Sequence, residues 1–309
     1  MIHPIPSGTR DVLPDELREL RAITDAIRAV FDGSGYGEVA TPALEYEAVL
    51  TRGDPAAADP AYRLFDEHGA VLVLRSDMTI PIARVIATRY ATATPPLRFS
   101  YVQPVYRAIR PARGQPREIL QAGIELVGAP GPEGTAEAIG LLCAALDAAG
   151  LAGYRVGVGD ASLYPRLLER AGVPPGARAQ ILHELVSRDL VGLEREVEAF
   201  GGGELARVPQ IRGGAEVLDA VPEAAPLKAV HDLLPHSVAD RVIYDLGLLR
   251  SLGYYTGAVF EVYDAAFGAP IGGGGRYDEL LGRFGRDLPA CGWVLDVERV
   301  HAARLGEGR

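Results

Sequence analysis

Cysteine is nearly absent from this chain of 309 residues: Cys143 and Cys291 are its only two. They lie far apart and neither has a neighbour at metal-ligand spacing, which argues against a disulfide framework and against a zinc site. The six histidines form no H-E-x-x-H pattern. No apolar run reaches the roughly 18 residues that a membrane-spanning helix needs, and the N-terminus lacks the basic-then-apolar form of a signal peptide. The expectation is a soluble, cytoplasmic chain with no metal and no cofactor. Basic residues are also in deficit, with a formal net charge of −10. A long anionic backbone would be repelled on average, so nucleic-acid binding is disfavoured unless a local patch overrides the field. No Ser/His/Asp or Cys/His set announces a nucleophile. An enzyme made from this sequence would work by positioning and electrostatics. The 48% hydrophobic content is ample for one large domain or two modest ones.

The most informative stretch that is present covers residues 99–128, FSYVQPVYRAIRPARGQPREILQAGIELVG. It reads as two strands joined by an arginine-rich loop. The first alternates Tyr101, Gln103, Val105 and Arg107 on one face. The second sets Gln121, Gly123 and Glu125 on one face and Ala122, Ile124 and Leu126 on the other, as a two-residue period requires. A face of Gln, Gly and Glu is poor core material, because burying an amide without partners costs about 2–7 kcal/mol and a carboxylate more. A small polar ligand would supply those partners, and Gly123 would leave it room. Arg107, Arg110, Arg113 and Arg117 between the strands form a cationic patch on an acidic protein. Read from spacing alone, the same features also suit a solvated hairpin whose charged edges discourage aggregation.

Elsewhere the pattern predicts a loop over 6–14, a helix capped by Asp15 and running to about Phe31, and a strand over 37–41 closed by Pro42. Residues 53–61 read as a flexible loop, 64–66 and 71–75 as a hairpin around His68 and Gly69, and 79–90 and 133–149 as helices. A strand over 154–159 precedes short helices broken by Gly and Pro, at 164–171, 177–187, 190–199, 214–220 and 227–234. This block looks like an insertion with its own small core. Strands return at 242–246 and 258–262, and Val294 lies in an apolar run before a last helix at 297–305. Strands flanking a helical block argue for an α+β fold on a mainly antiparallel sheet. The expected division is 1–162, first part of the core; 163–236, helical insertion; and 237–309, second part of the core.

Several motifs admit two readings. Gly157-Val-Gly159 follows a strand but lacks the third glycine and the βαβ unit of a dinucleotide site. The glycines at 272–275 are not a P-loop, since no Lys-Ser/Thr follows. They read as a plain flexible turn or as a place where a ligand nears the backbone. Tyr254 and Tyr255 read as core aromatics, yet two adjacent tyrosines cannot share one face of a strand, so one hydroxyl should meet water or a ligand. In Arg75-Ser-Asp77-Met-Thr79, Asp77 or Thr79 suits an ordinary helix cap.

Taken in order, these pieces resemble the catalytic core of histidyl-tRNA synthetase, a class II aminoacyl-tRNA synthetase, over nearly the whole chain. Residues 6–11 with the helix and the strand ending at Pro42 look like the first class II motif, which builds the dimer interface. Residues 99–125 look like the second, and 280–300, with Arg299, like the third. Arg250-Ser-Leu-Gly-Tyr-Tyr-Thr256 and Gly274-Gly-Arg-Tyr-Asp278 resemble the two signatures of the histidine enzyme. The resemblance implies a histidine pocket. In it Glu125 and Tyr255 read the imidazole, and Gln121, Thr79 and Asp77 hold the α-amino group. Arg250 meets the carboxyl end, Tyr254 lines the pocket, and Arg107 clamps phosphate and carboxylate. A carboxylate facing an imidazole favours its protonated form.

The departures shape the expectation. The anticodon-binding domain of the synthetase is expected to be missing. Ile109 stands where the synthetase has an adenine-binding glutamate, and Asp296 stands where it has a glycine, crowding and repelling a nucleotide. Gly253 replaces an aspartate, and Asp77 a glutamate. The amino-acid pocket is kept, while Arg113 and Arg299 mark a vestigial nucleotide site. Such a core resembles the regulatory subunits of ATP phosphoribosyltransferase. These serve the first step of histidine biosynthesis and support a short-form catalytic subunit in a hetero-octamer. The implied partners are that subunit, a second copy of this chain and L-histidine as effector, with no tRNA, no membrane and no catalytic residue. The alternative is a truncated or divergent synthetase-like enzyme that activates histidine with ATP.

Overall fold

The computed structural model describes residues 5–55, 61–108, 115–250 and 253–308. The first helix, α1 (Pro14–Gly33), buries Leu20, Ile23, Ile27 and Phe31 at helical spacing. It starts two residues earlier than expected. Leu13 flanks it without a side-chain cap, Pro14 takes the first turn, where its missing N–H costs nothing, and Asp15 and Glu16 follow near the positive end. The expected strand at 37–41 shrinks to β1 (Gly37–Glu38). A small sheet follows, made from β2 (Leu44–Tyr46), β3 (Arg63–Phe65) and β4 (Val71–Leu74), with α2 (Glu47–Gly53) between the first two strands. The anticipated hairpin around His68 and Gly69 is the β3–β4 pair.

After α3 (Thr79–Arg89) come β5 (Leu97–Tyr106), β6 (Glu118–Val127), α4 (Gly131–Ala148) and β7 (Arg155–Asp160). The helical block holds α5 (Leu163–Arg170), α6 (Pro175–Ser187), α7 (Leu190–Val197), α8 (Gly203–Arg207), the short strand β8 (Arg212–Gly213), α9 (Ala225–His231) and α10 (His236–Ala239). The chain returns through β9 (Val242–Asp245), β10 (Ala258–Asp264), β11 (Phe267–Arg276), β12 (Ala290–Asp296) and α11 (Val297–Glu307). The large sheet runs β1-β5-β6-β12-β11-β10-β7-β9-β8. Among the described residues only the β1–β5 and β7–β9 pairs are parallel, so this is an α+β fold on a mainly antiparallel sheet.

One face of that sheet is core. Ala122, Ile124 and Leu126 are fully buried there with residues of α1 and α4, and Phe31 meets Trp293 at 5.6 Å. The buried apolar residues of the helical block run on continuously from this cluster, where the sequence suggested a separate small core. The short helices are too small to bury their own stripes and complete them against α4 and the sheet. The opposite face carries a second cluster, with Met78, Ile82 and Ile86 of the α3 region over Phe99, Tyr101, Tyr254 and Tyr277.

Candidate functional site

Residues paired directly across neighbouring strands point to the same face. The register therefore lays out the floor of the site. Tyr101 pairs with Gly123, Gly123 with Val294, Val294 with Gly273, and Gly273 with Glu261. The next row is Gln103, Gln121 and Asp296, and on the other side lie Glu125, Gly292 and Gly275. The two-residue period thus puts Gln121, Gly123 and Glu125 on one face, as expected.

Glycine makes a trough of that face. A Cβ at Gly273 would lie 1.8 Å from Arg250 Nη1, and one at Gly292 would lie 2.0 Å from Glu125 Oε2. Gly275 leaves space for the Tyr255 ring. The stretch at 272–275 is therefore strand, not turn: β11 pairs on both sides, and its glycines let a guanidinium and a phenol lie flat on the sheet. Gly123 does leave room, but the Tyr101 hydroxyl fills it, 2.5 Å from where a Cβ would sit.

One end of the trough is a cage of hydroxyls around a carboxyl group. Glu125 is 2% exposed. Thr79 Oγ1 donates to its Oε1 at 2.7 Å, and the Tyr277 hydroxyl bonds to its Oε2. Burial pushes the Glu125 carboxyl up to about 8; the Thr79 hydrogen bond opposes that rise, and the charge of Asp77 adds to it. Asp77 accepts the Ile80 N–H at 3.0 Å, as an ordinary cap of α3 would. Its carboxyl is also raised by burial, against that hydrogen bond and the charge of Arg107. The Tyr254 and Tyr255 rings lie 4.9 Å apart, tilted at 51°, and meet Tyr277 at 5.7 and 6.5 Å. They precede β10 rather than lying in it, so the alternation of a strand does not part them, and both rings enter the cage.

The other end is charged. Arg107, Gln121, Arg250, Glu261, Asp296 and Arg299 surround a cavity of about 120 Å³. Arg250 Nη1 donates to the Phe260 carbonyl at 3.1 Å, and its guanidinium lies 5.9 Å from the Tyr255 ring centre. Asp296 caps α11: Oδ1 accepts the Arg299 N–H at 3.1 Å, and Oδ2 pairs with Arg299 Nε at 2.9 Å. Arg299 also holds the Pro270 carbonyl at 2.7 Å. Larger cavities, up to about 690 Å³, lie along α1 and α11, and the one beside α11 shares Asp296 and Arg299 with the charged end.

The structure thus gathers Asp77, Thr79, Arg107, Gln121, Glu125, Arg250, Tyr254, Tyr255 and Arg299 on one side of one sheet. Ile109, Arg110 and Arg113 lie outside the described residues. Arg117 leaves the expected cationic patch: its Nε holds the Ser7 carbonyl at 2.5 Å and another nitrogen holds the Tyr62 hydroxyl. The sequence reading missed Glu261, and it gave no site role to Tyr277 or to Tyr101, which it set on the face of Gln103 and Arg107. Tyrosines in strands pass for core, whereas the alternation of Val259, Glu261 and Tyr263 along β10 was a usable signal for Glu261. It also missed Asp54, buried beside the site, whose Oδ2 accepts the Gly253 N–H at 3.4 Å. Among the described residues no cluster of three or more His, Cys, Asp or Glu could hold a metal ion, and no helix is long and apolar enough to cross a membrane.

The histidyl-tRNA synthetase family model matches residues 8–300. A relative from Symbiobacterium thermophilum, named ATP phosphoribosyltransferase regulatory subunit, is 43% identical over 98% of this chain and 80% of its own length. This chain belongs to the family of ATP phosphoribosyltransferase regulatory subunits. A second relative of that name, from Moorella thermoacetica, is 39% identical over 97% of this chain and 82% of its own length. Among solved structures, one described as an ATP phosphoribosyltransferase regulatory subunit/histidyl-tRNA synthetase from Bacillus halodurans superposes with a TM-score of 0.91 at 30% identity, covering 98% of this chain and 84% of that one. Histidyl-tRNA synthetase from Nostoc superposes at 0.80 with 23% identity over all of this chain and 76% of its own, which speaks for a shared fold. In this member of the regulatory-subunit family, the face of Gln121 and Glu125 is a polar trough in place of core.

Proposed function

We propose that this chain is a non-catalytic, histidine-sensing subunit of ATP phosphoribosyltransferase, required by a short-form catalytic partner. The observation that carries the reading is the buried Glu125 carboxyl, bonded to the Thr79 and Tyr277 hydroxyls beside Tyr254 and Tyr255 in the trough. The caged end of the trough offers hydroxyls and a carboxyl to a small polar group. The arginine end lines a small cavity of about 120 Å³, where Glu261 and Asp296 stand among the arginines, and Asp296 and Arg299 also border the larger cavity along α11. In this reading Glu125 and Tyr255 face the imidazole, and Gln121, Thr79 and Asp77 hold the α-amino group. Arg250 and Arg107 meet the carboxylate, and Tyr254 packs the ring. Residues 163–236 act as an inserted helical unit, and the chain pairs with a second copy through α1 and β1 inside a cytoplasmic hetero-octamer, without tRNA.

The test is reconstitution. The short-form catalytic subunit of the same organism should gain activity on adding this chain, and L-histidine should suppress it. Activity indifferent to the chain would end the reading. Arg107, Arg250 and Arg299 around one cavity favour a second reading, in which the protein adenylates histidine. Histidine-dependent pyrophosphate exchange with ATP and magnesium separates the two: the regulatory reading expects none above blank.

A further inference from the structure

Among the described residues, every group that faces Glu125 is neutral or acidic. From α3 comes Thr79, and from the turn before it Asp77. From β5 comes Tyr101, from the segment before β10 Tyr254 and Tyr255, and from β12 Cys291 and Gly292. The residue after β11 supplies Tyr277. Among the described residues no basic side chain is hydrogen-bonded or ion-paired to this carboxyl. Arg250 is committed to the Phe260 carbonyl. Arg276 is held by Thr135 and the Ala129 and Gly131 carbonyls. A carboxylate buried to this degree without a cation is costly, and remaining uncharged removes the cost. Both contacts tolerate the acid form, because a hydroxyl that donates to a carboxylate can accept from a carboxylic acid.

We propose that Glu125 meets the ligand as an uncharged carboxylic acid and hands its own proton to the ligand's ring nitrogen, so that the pocket selects a neutral imidazole and takes no proton from solution. This deepens the histidine reading and rests on it. The step balances within the pair. The carboxyl O–H breaks, an N–H forms on the imidazole, and a carboxylate–imidazolium hydrogen bond remains where an acid and a base had been. Burial, which disfavours the lone carboxylate, strengthens the charge-assisted bond once the imidazolium supplies the missing cation. Specificity follows: a side chain nitrogen with a free lone pair completes the transfer, whereas an amide or a methylene does not.

Proton counting tests this. Calorimetry of L-histidine binding at about pH 7.2, in two buffers of different ionisation heat, gives the protons exchanged. An acid Glu125 predicts close to zero, since the pocket already carries the proton that free imidazole mostly lacks. An ionised Glu125 predicts an uptake of roughly 0.8 proton, from the ordinary imidazole value of about 6.5. Uptake of that size would overturn the proposal and leave histidine binding intact. Absence of any histidine heat would instead sink the histidine reading and this proposal with it. A second measurement needs no ligand. The infrared difference between wild type and Glu125→Gln should contain the carbonyl stretch of a carboxylic acid at neutral pH, and adding L-histidine to the wild type should bleach it. A carboxylate band in its place, in the free protein, would refute the proposal.

Discussion

The two ends of the trough share a sheet, a face and a row of glycines, yet they handle charge in opposite ways. At the caged end Glu125 has hydroxyl partners and, among the described residues, no cation, so a negative charge there would wait for a ligand to supply the balancing cation. At the open end Asp296 is fastened to Arg299, and Glu261 shares a cavity with three arginines, so opposite charges already stand together. An unbalanced buried acid is a recognition element, because it gains most from a matching ligand. A balanced set of ions gains less, since an incoming anion must compete with carboxylates already present. In the histidine reading proposed above, selectivity for the ring therefore resides at Glu125, and the arginine end adds a contact to the ligand carboxylate.

The largest expected effect concerns stability against pH. Glu125 is raised from an ordinary carboxyl value to about 8 in the folded state. The folded protein therefore holds this proton more tightly than the unfolded chain. The stability that it contributes is fully present below about pH 4.5 and is lost as the pH rises through about 8. The loss is on the order of 3–5 kcal/mol from the size of the shift. Glu125→Gln, neutral at every pH, should flatten that part of the curve and be more stable than wild type near pH 8. Denaturant midpoints across pH 5–9 for both proteins check this. Parallel curves would show that Glu125 is not the buried acid described.

Next comes ligand affinity. Glu125→Ala removes the charge-assisted hydrogen bond to the imidazole, worth about 1.5–3 kcal/mol. Histidine binding should weaken by roughly tenfold to a hundredfold. By linkage, histidine inhibits only if it prefers the inhibited assembly, so the variant complex should stay active at histidine concentrations that silence the wild type. Unchanged calorimetric affinity and unchanged inhibition together would put the effector site elsewhere, for example at the interface with the catalytic subunit.

How much of this was legible in the sequence depends on which physical signal each residue carried. The face of Gln121, Gly123 and Glu125 was readable because polar residues at a two-residue period cannot be core on both sides. The sheet class and most helices followed from periodicity in the same way. β11 was not readable as a strand: a glycine run has no β-propensity, and its reason for being there is the approach of Arg250 and Tyr255 from distant segments. Tyr277 was hidden because an aromatic beside a strand looks like packing until its hydroxyl is seen on Glu125. Asp15 was mistaken for a cap because Pro14 makes a helix start that needs none. The arginine patch looked like one feature on charge alone, but Arg117 belongs to the N-terminal segment and Arg107 to the cavity.

Gly273→Ala sharpens the comparison from the arginine end. Its Cβ would meet Arg250 Nη1 at 1.8 Å and the Phe260 carbonyl oxygen at 2.6 Å. The guanidinium can swing away, but the backbone oxygen cannot, so a cost of about 1–3 kcal/mol in stability is expected from overpacking. Arg250 should be displaced from the trough while the cage around Glu125 stays whole. The expected result is weaker binding of histidine with retained binding of imidazole or of histamine, which lack the carboxylate. Equal losses for all three ligands would mean that the two ends are not separable.

The smallest effect is expected at Asp296, and it bears on what the arginine end still does. Asp296→Ala removes the side-chain cap of α11, whose loss should cost about 0.5–2 kcal/mol. It also releases Arg299 Nε from its 2.9 Å ion pair and takes one negative charge out of the cavity. If that carboxylate alone kept a nucleotide out, removing it would bring back some histidine-dependent pyrophosphate exchange. We expect none. Arg299 keeps its 2.7 Å bond to the Pro270 carbonyl, Glu261 still faces the arginines, and the cavity gains only the volume of one small carboxylate. Exchange above blank in Asp296→Ala would reverse this conclusion, by showing that one cap residue holds an otherwise competent adenylation site shut.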